Sequence, residues 1–285
     1  MGAPSIIVVG SVNLDIVASV AKLPVPGETV TEASLQRFPG GKGANQALAA
    51  KRLGADVTLV ARVGNDAYAD EALALLKAGD VDLTQCQRCD DHPTGIALIA
   101  VDSQGENQIV VAPGANRALD GASIELPSAN ALIGQLEVPV DVLASAAQAF
   151  DGMFCVNLAP ARDVPETLLS RADVIVVNET EAAYYGDKLQ ATDALVVTTL
   201  GSRGANAHKD GKQVAESGAP AVNAIDTVGA GDTFTAALTV ALSGGAEISE
   251  ALRFACAAGS LATTKEGAQP SLPTLAAVEE VLESK

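Results

Sequence analysis

The sequence predicts an α/β fold, with a mostly parallel central sheet, helices on both faces and a small second β-sheet. Three observations predict it. Short β-branched apolar runs alternate with alanine- and leucine-rich helical segments, as parallel strands joined by helical crossovers require. Two stretches break the alternation and read as hairpins. The last third of the chain reads as consecutive helices.

Ile6–Val9 is a buried strand by its continuous apolar run. Ala44–Leu53 is a helix stopped at Gly54, and Val57–Ala61 a second strand. Asp66–Leu76 is helical, with Asp66 as N-cap and Gly79 as stop. Further strands fall near Ala131–Gln135, Met153–Val156, Val174–Val177 and Leu195–Thr198. Helices follow at Gly231–Leu242, Ile248–Thr263 and Leu275–Leu282. The hairpins are 15–20 with 29–35, and 95–101 with 107–112, the second turning at Asp102-Ser103-Gln104-Gly105. Both are apolar on both faces, so the sheet they form is expected to cover a pocket or a partner subunit.

Composition narrows the function. The chain has 285 residues, 48% hydrophobic and 19% charged, enough for a sizeable core and too apolar for disorder. A net charge of −17 gives no electrostatic footing on nucleic acid or an anionic membrane. Mean hydropathy is +0.25, but alanine supplies much of it. The apolar-rich stretch Phe234–Leu242 falls well short of the roughly 20 residues a membrane span needs. With no basic leader at Met1–Ser5, a cytoplasmic location is expected. Cys86 and Cys89 form a lone CxxC in polar sequence, without a second pair to complete a zinc site; they read as incidental surface cysteines. Only His92 and His208 are present, and neither stands in a triad context.

Two glycine-rich segments carry the chemistry. In Asp226-Thr227-Val228-Gly229-Ala230-Gly231-Asp232-Thr233-Phe234, small residues lead into a helix whose free N–H groups make an anion site. A carboxylate at that mouth suits a base that deprotonates a hydroxyl attacking phosphorus; an Asp favouring the helix dipole would use the same position. Phe38-Pro39-Gly40-Gly41-Lys42-Gly43-Ala44-Asn45-Gln46 fits neither a Walker A loop nor a dinucleotide fingerprint. It is either a ligand loop opening a helix or a flexible turn. Asn13 and Asp15 follow the first strand on one side by period two, suiting sugar hydroxyls or a capped turn.

Together these segments resemble the ribokinase-like carbohydrate kinases, the PfkB family. Gly40–Asn45, with Gly54 and Gly64 downstream, is similar to the family's N-terminal signature, and Asp226–Phe234 to its C-terminal one. Gly27–Val30, Gln135–Glu137, Asn178–Glu181, Thr199–Gly204 and Gly267–Ser271 are similar to its ribokinase branch. The resemblance covers nearly the whole chain and implies a ribokinase-like three-layer α/β/α fold as one domain over 1–285, with a lid from insertions at about 15–36 and 94–112.

It further implies ATP-dependent phosphorylation of D-ribose at O5. Asp232 is then the base, with the amides of Gly229, Ala230, Gly231 and Asp232 as the anion hole. Ser11, Asn13, Asp15, Gly40, Gly41, Lys42, Gly43, Asn45 and Glu137 are implied at the sugar. Asn178, Glu181, Thr199, Leu200, Gly201, Ser202, Arg203, Gly204, Gly231 and Cys256 are implied at the nucleotide, with Mg²⁺. A K⁺ site maps to Asp226, Val228, Ala262, Lys265, Gly267 and Ser271, and the lid implies a homodimer. Between Asn178 and Thr199 the chain is shorter than is usual in the family, and a helix is expected to be missing. Kinases for deoxyribose, fructose or a nucleoside, and a non-catalytic sensor, are the competing readings; with 3% aromatics, walls for stacking a nucleoside base are scarce.

Overall fold

A computed structural model describes residues 2–121, 124 and 126–284. In chain order, β1 (Ser5–Val9) leads into β2 (Asn13–Ser19) and β3 (Ser34–Gly40), then α1 (Lys42–Arg52) and β4 (Asp56–Gly64). Short helices α2 (Ala67–Ala72) and α3 (Ala74–Ala78) precede β5 (Cys86–Cys89), β6 (Gly95–Val101) and β7 (Asn107–Ala112). Next come β8 (Ala131–Gln135), α4 (Val140–Ala149), β9 (Met153–Asn157), α5 (Glu166–Arg171) and β10 (Val174–Asn178). They are followed by α6 (Glu179–Tyr185), α7 (Asp187–Gln190), β11 (Leu195–Thr199), β12 (Ala205–Lys209) and β13 (Lys212–Ser217). The chain closes with α8 (Ala230–Ser243), α9 (Ile248–Ala262), α10 (Ala268–Ser271) and α11 (Leu275–Glu283).

The large sheet has the order β13-β12-β11-β10-β9-β8-β1-β4-β5. It is parallel from β5 through β11 and closes with the antiparallel pair β12 and β13. Period two sorts its side chains between two cores. Ile6, Val8, Leu59, Ile133, Val176 and Val197 face α1, α8 and α9, while Ile7, Val9, Val60, Leu132, Ile175 and Val177 face α4 and α5. Burial on both faces explains why these strands read as continuous apolar runs. Alanine explains the positive hydropathy: Ala236, Ala237, Ala255, Ala257 and Ala258 are buried between α8, α9 and the sheet. Among the described residues, no helix is long and apolar enough to cross a membrane.

The small sheet has the order β3-β2-β6-β7, with β2 parallel to β6 and the outer pairs antiparallel. The partner of β2 is Ser34–Gly40 rather than the expected 29–35, and residues 20–33 form the connection. Pro39, on edge strand β3, loses no ladder bond that a central strand would need. The second hairpin falls where the sequence places it, closed by Gly105 N–H donating to the Asp102 carbonyl at 3.0 Å.

Three further expectations are corrected. Asp66–Leu76 is two helices broken at Leu73, although Asp66 is the N-cap and accepts from Ala69 N–H at 2.9 Å. Cys86 and Cys89 lie in β5 against β4, Cys89 is buried, and burial pushes the Cys86 thiol up to about 11. They are therefore not surface cysteines, and residues three apart in a strand face opposite ways. The link between α6 and β11 keeps a single turn of helix, α7, where the sequence reads as helix-free.

Candidate active site

The chain order of the sheet reverses beside β1: β4 lies on one side of it and β8 on the other. Ligands of open α/β sheets bind beyond the strand carboxyl ends at such a point. Here Ser11, after β1, donates to Glu137 Oε2, after β8, at 2.5 Å. The same oxygen accepts Lys42 N–H at 3.1 Å, and Lys42 Nζ lies 4.0 Å from Glu137 Oε1. Asn13 Oδ1 accepts from the buried Asn116 at 2.7 Å, which turns the Asn13 NH₂ group away from that contact.

Glycines bring these loops together. Gly41, before α1, has φ 90°, and a Cβ there would lie 2.7 Å from Asn13 N. The loops after β1 and β3 cross at Gly43, where a Cβ would sit 2.5 Å from both Gly10 C and Ser11 N.

Asp232 projects from the first turn of α8 and is 7% exposed. Asn45 donates to its Oδ2 at 2.9 Å and Gln46 to its Oδ1 at 3.0 Å. The helix begins after Gly229 in a left-handed conformation, φ 80°, with no side chain capping it. Ala230 N–H donates to the Thr227 carbonyl at 3.3 Å, so it is Gly231 and Asp232 that present free amides. Nothing lies within 4 Å of the place a Gly231 Cβ would occupy, so a ligand can approach that amide directly.

The electrostatics converge on Lys42. Burial alone would lower its pKa, but Asp232, Glu137, Glu181 and Asp15 together hold it above its usual value. Burial, then Glu137 and Asp232, raise Asp15 to about 7, against the pull of Lys42. Burial also pushes Asp232 upward, opposed by Lys42 and by the hydrogen bonds from Asn45 and Gln46. Burial raises Glu181 too, while the Asn178 N–H and Lys42 oppose it. Four carboxylates around one lysine make a site with spare negative charge, suited to a substrate delivered with a cation.

A cleft of about 750 Å³ runs between the two sheets. It brings together Asn13, Asp15, Gly41, Lys42, Asn45, Glu137 and Asp232 with Asn178, Glu181 and Thr199. Gly229, Gly231, Asp226, Val228 and Gly267 line it as well. Asn178 is also the N-cap of α6, in a reciprocal capping box with Glu181 at 2.8 Å each way. Ser11, Gly40 and Gly43 support the wall from behind; a Cβ on Gly40 would meet Asp15 Oδ2 at 2.2 Å.

Several implied residues stand outside the lining. Leu200 through Gly204 form a turn that is exposed at Gly201, Ser202 and Arg203 and buried at Gly204, with Arg203 paired to Glu179. Cys256 packs in the core of α9, where its thiol donates to the Ser217 carbonyl at 3.6 Å. Ala262 is fully buried at the end of α9, Ser271 donates to the Ala268 carbonyl, and Lys265 lies beyond the lining. The sequence reading gave Gln46 and Gln135 no role, although both stand in its motifs, and missed Asn157 and Asn116; all four are buried in or behind the site. Gln46 stands beside Asn45 on α1, Gln135 and Asn157 close β8 and β9, and Asn116 lies in a short 3₁₀ helix after β7, places that have meaning only once the partners are adjacent.

The model of the pfkB family carbohydrate kinases matches residues 3–275. The chain belongs to the PfkB family of carbohydrate kinases. It is 38% identical to the ribokinase of Bacillus subtilis over 98% of this chain and 99% of that one. The structure of a ribokinase from Thermotoga maritima superposes with a TM-score of 0.90 at 32% identity, covering 98% and 99% of the two chains. That of Arabidopsis thaliana ribokinase complexed with ribose and ATP gives 0.87 at 31%, covering 99% of each. The fold is the ribokinase-like α/β fold with its smaller sheet, and the chain is a sugar kinase of this family.

Proposed function

We propose that the chain transfers the γ-phosphoryl group of ATP to O5 of D-ribose, giving ribose 5-phosphate and ADP. The observation that carries this is the buried Asp232 carboxylate beside the open amides of Gly231 and Asp232, in one cleft with Asn13, Asp15 and Glu137. Asp232 takes the O5 proton as the O5–P bond forms and the bond from phosphorus to the bridging oxygen of ADP breaks. The two amides hold the equatorial oxygens of the transferring group, and Lys42 adds a local positive charge. Gly40, Gly41, Gly43, Ser11 and Asn45 complete the sugar wall. Asn178, Glu181 and Thr199 lie toward the nucleotide, with the turn Leu200–Gly204 following Thr199.

Mg²⁺ arriving with the nucleotide would supply charge neutralisation at the phosphates. Asn178 and Glu181, oxygen-bearing side chains lining the cleft, are the residues that would lie nearest such a hydrated metal. The acting compartment is then the cytoplasm. The decisive assay compares D-ribose, 2-deoxyribose, D-fructose and adenosine with Mg–ATP in potassium buffer. Ribose should give the highest kcat/KM, and parity among the four would sink the assignment.

The pKa of Asp15 makes sugar affinity pH-dependent. An ionised carboxylate accepts two hydroxyl hydrogen bonds and a protonated one offers a poorer partner. Because burial raises Asp15 to about 7, it is protonated below that pH, and KM for ribose should fall as pH rises through 7. Asp15→Asn should flatten that limb. A KM for the wild type that is constant between pH 6 and 8 would contradict it.

A K⁺ ion is proposed at Asp226, with carbonyls of Val228, Ala262, Lys265 and Gly267 and with Ser271. These hard oxygen donors suit a monovalent cation. Asp226 also accepts the N–H groups of Val228 and Gly267, both at 2.9 Å, so it ties the anion-hole loop to the chain before α10. Turnover should be faster in K⁺ than in Na⁺; equal rates would remove the ion from the scheme.

The small sheet is proposed as the lid and the contact of a homodimer. Leu98 and Val110, opposite each other on β6 and β7, are 50% and 65% exposed, and Leu35 is 67% exposed. A monomer by sedimentation velocity at micromolar concentration would discard the dimer.

A further inference from the structure

Behind Asp232 lies a run of buried side-chain amides. Gln46, fully buried on α1, donates from Nε2 to Asp232 Oδ1 at 3.0 Å, and the same nitrogen lies 3.4 Å from Asn157 Oδ1. Its Oε1 accepts from Gln135 Nε2 at 2.7 Å. A carboxamide has two ends of similar size and opposite hydrogen-bond character. Which end meets the carboxylate decides whether the contact attracts or repels.

The neighbours leave one choice. The Val176 carbonyl can only accept, and it takes Asn157 Nδ2 at 3.1 Å, which turns Asn157 Oδ1 toward Gln46. That oxygen also only accepts, so it demands the NH₂ end of Gln46. From the other side Gln135 offers its own NH₂, which only Oε1 of Gln46 can accept. Gln135 is confined by packing alone: a Cβ on Gly10 would lie 2.0 Å from its Oε1, and that oxygen has no hydrogen-bond partner, so the choice is made by Asn157. Asn45 differs from Gln46, since its buried Oδ1 has no partner and its amide is not held at both ends.

We propose that Gln46 is a positioning residue for the base, that Asn157 fixes which end of its amide faces Asp232, and that Gln135 braces the other end. The proposal rests on Asp232 being the base of the kinase reaction. With Oδ1 held by Gln46 and Oδ2 by Asn45, the carboxylate plane is set, and its remaining lone pairs are those that meet the substrate hydroxyl. The anchoring run is made of groups without charge, so the orientation persists whether Asp232 is ionised or protonated.

The test uses Gln46→Met and Gln135→Met in the full chain, with ¹³C-carboxyl-labelled aspartate. Asp232→Asn identifies the Asp232 resonance. Loss of a donor raises a carboxylate's titration midpoint, here by about one pH unit in Gln46→Met, with a smaller rise of the same sign in Gln135→Met. The rising limb of kcat against pH should then move to higher pH in Gln46→Met, with KM for ribose within about threefold of wild type. An unchanged Asp232 midpoint in both variants overturns the proposal, as does a raised KM with unchanged kcat. Should Gln46→Met fail to fold, Gln135→Met, which does not touch Asp232, gives the same readout. A wild-type chain that phosphorylates none of the sugars counts against the kinase reading alone, because the titration still decides the orientation.

Discussion

Asp232→Asn lowers kcat by roughly a thousandfold or more while ribose binding stays measurable by calorimetry. Removing a positioned general base typically costs 10²–10⁴-fold, and among the described residues no other carboxylate accepts from both Asn45 and Gln46. The replacement is nearly isosteric but swaps one acceptor for an NH₂ donor. Gln46 is anchored and keeps donating to the oxygen of the substituted amide, so the new NH₂ meets Asn45. Asn45 can turn to offer its unpartnered Oδ1. The variant therefore folds, and with a buried charge removed it melts at or above the wild-type temperature. Turnover within tenfold of wild type would take the role of base away from Asp232.

The second large effect is on stability. Gly→Ala inside a helix ordinarily stabilises by up to about 1 kcal/mol. At Gly43, the second residue of α1, the sign reverses. An added Cβ would lie 2.5–2.6 Å from Gly10 C, Gly10 Cα and Ser11 N, all backbone atoms that cannot swing aside. Relief requires the loop after β1 to move away from α1. That breaks the Gly43 N–H to Ser11 Oγ bond at 3.3 Å and disturbs the Ser11–Glu137 tie. Gly43→Ala should cost about 3 kcal/mol and lower Tm by roughly 6–12 °C, with KM for ribose raised in whatever protein remains folded. A calorimetric Tm within about 2 °C of wild type would contradict the close crossing.

The residues readable in sequence are those whose meaning is local. Val174–Val177 announces a strand by its side chains alone, and Asp232 stands out because three small residues precede it on a helix start. β5 and β12 announce nothing: Cys-Gln-Arg-Cys and Ala-Asn-Ala-His-Lys lack an apolar run, and each is a strand because a neighbour is already in place beside it. Gln46 and Gln135 belong to the same class, since they are 89 positions apart and act only through contact. Cys256 shows the opposite case, a position carried over by resemblance whose side chain points into the core instead of the cleft. Glu137, also carried over by resemblance, does line the cleft, but its tie to Ser11 depends on the closeness of β1 and β8 and has no trace in the local sequence.

The small sheet is not hung on a linker. Asn13 is both the first residue of β2 and part of the cleft floor, and Gly40 ends β3 directly before the loop that opens α1. The register pairs Asn13 with Gly40 on one side and with Gly95 on the other. Roof and floor of the cleft thus share the same strands, so the proposed grip on the sugar and its cover would be one lever. On the proposed reading, a sugar held by Asn13 and Asp15 would stiffen three strands at their root, so that substrate capture and shielding from water would be mechanically one event.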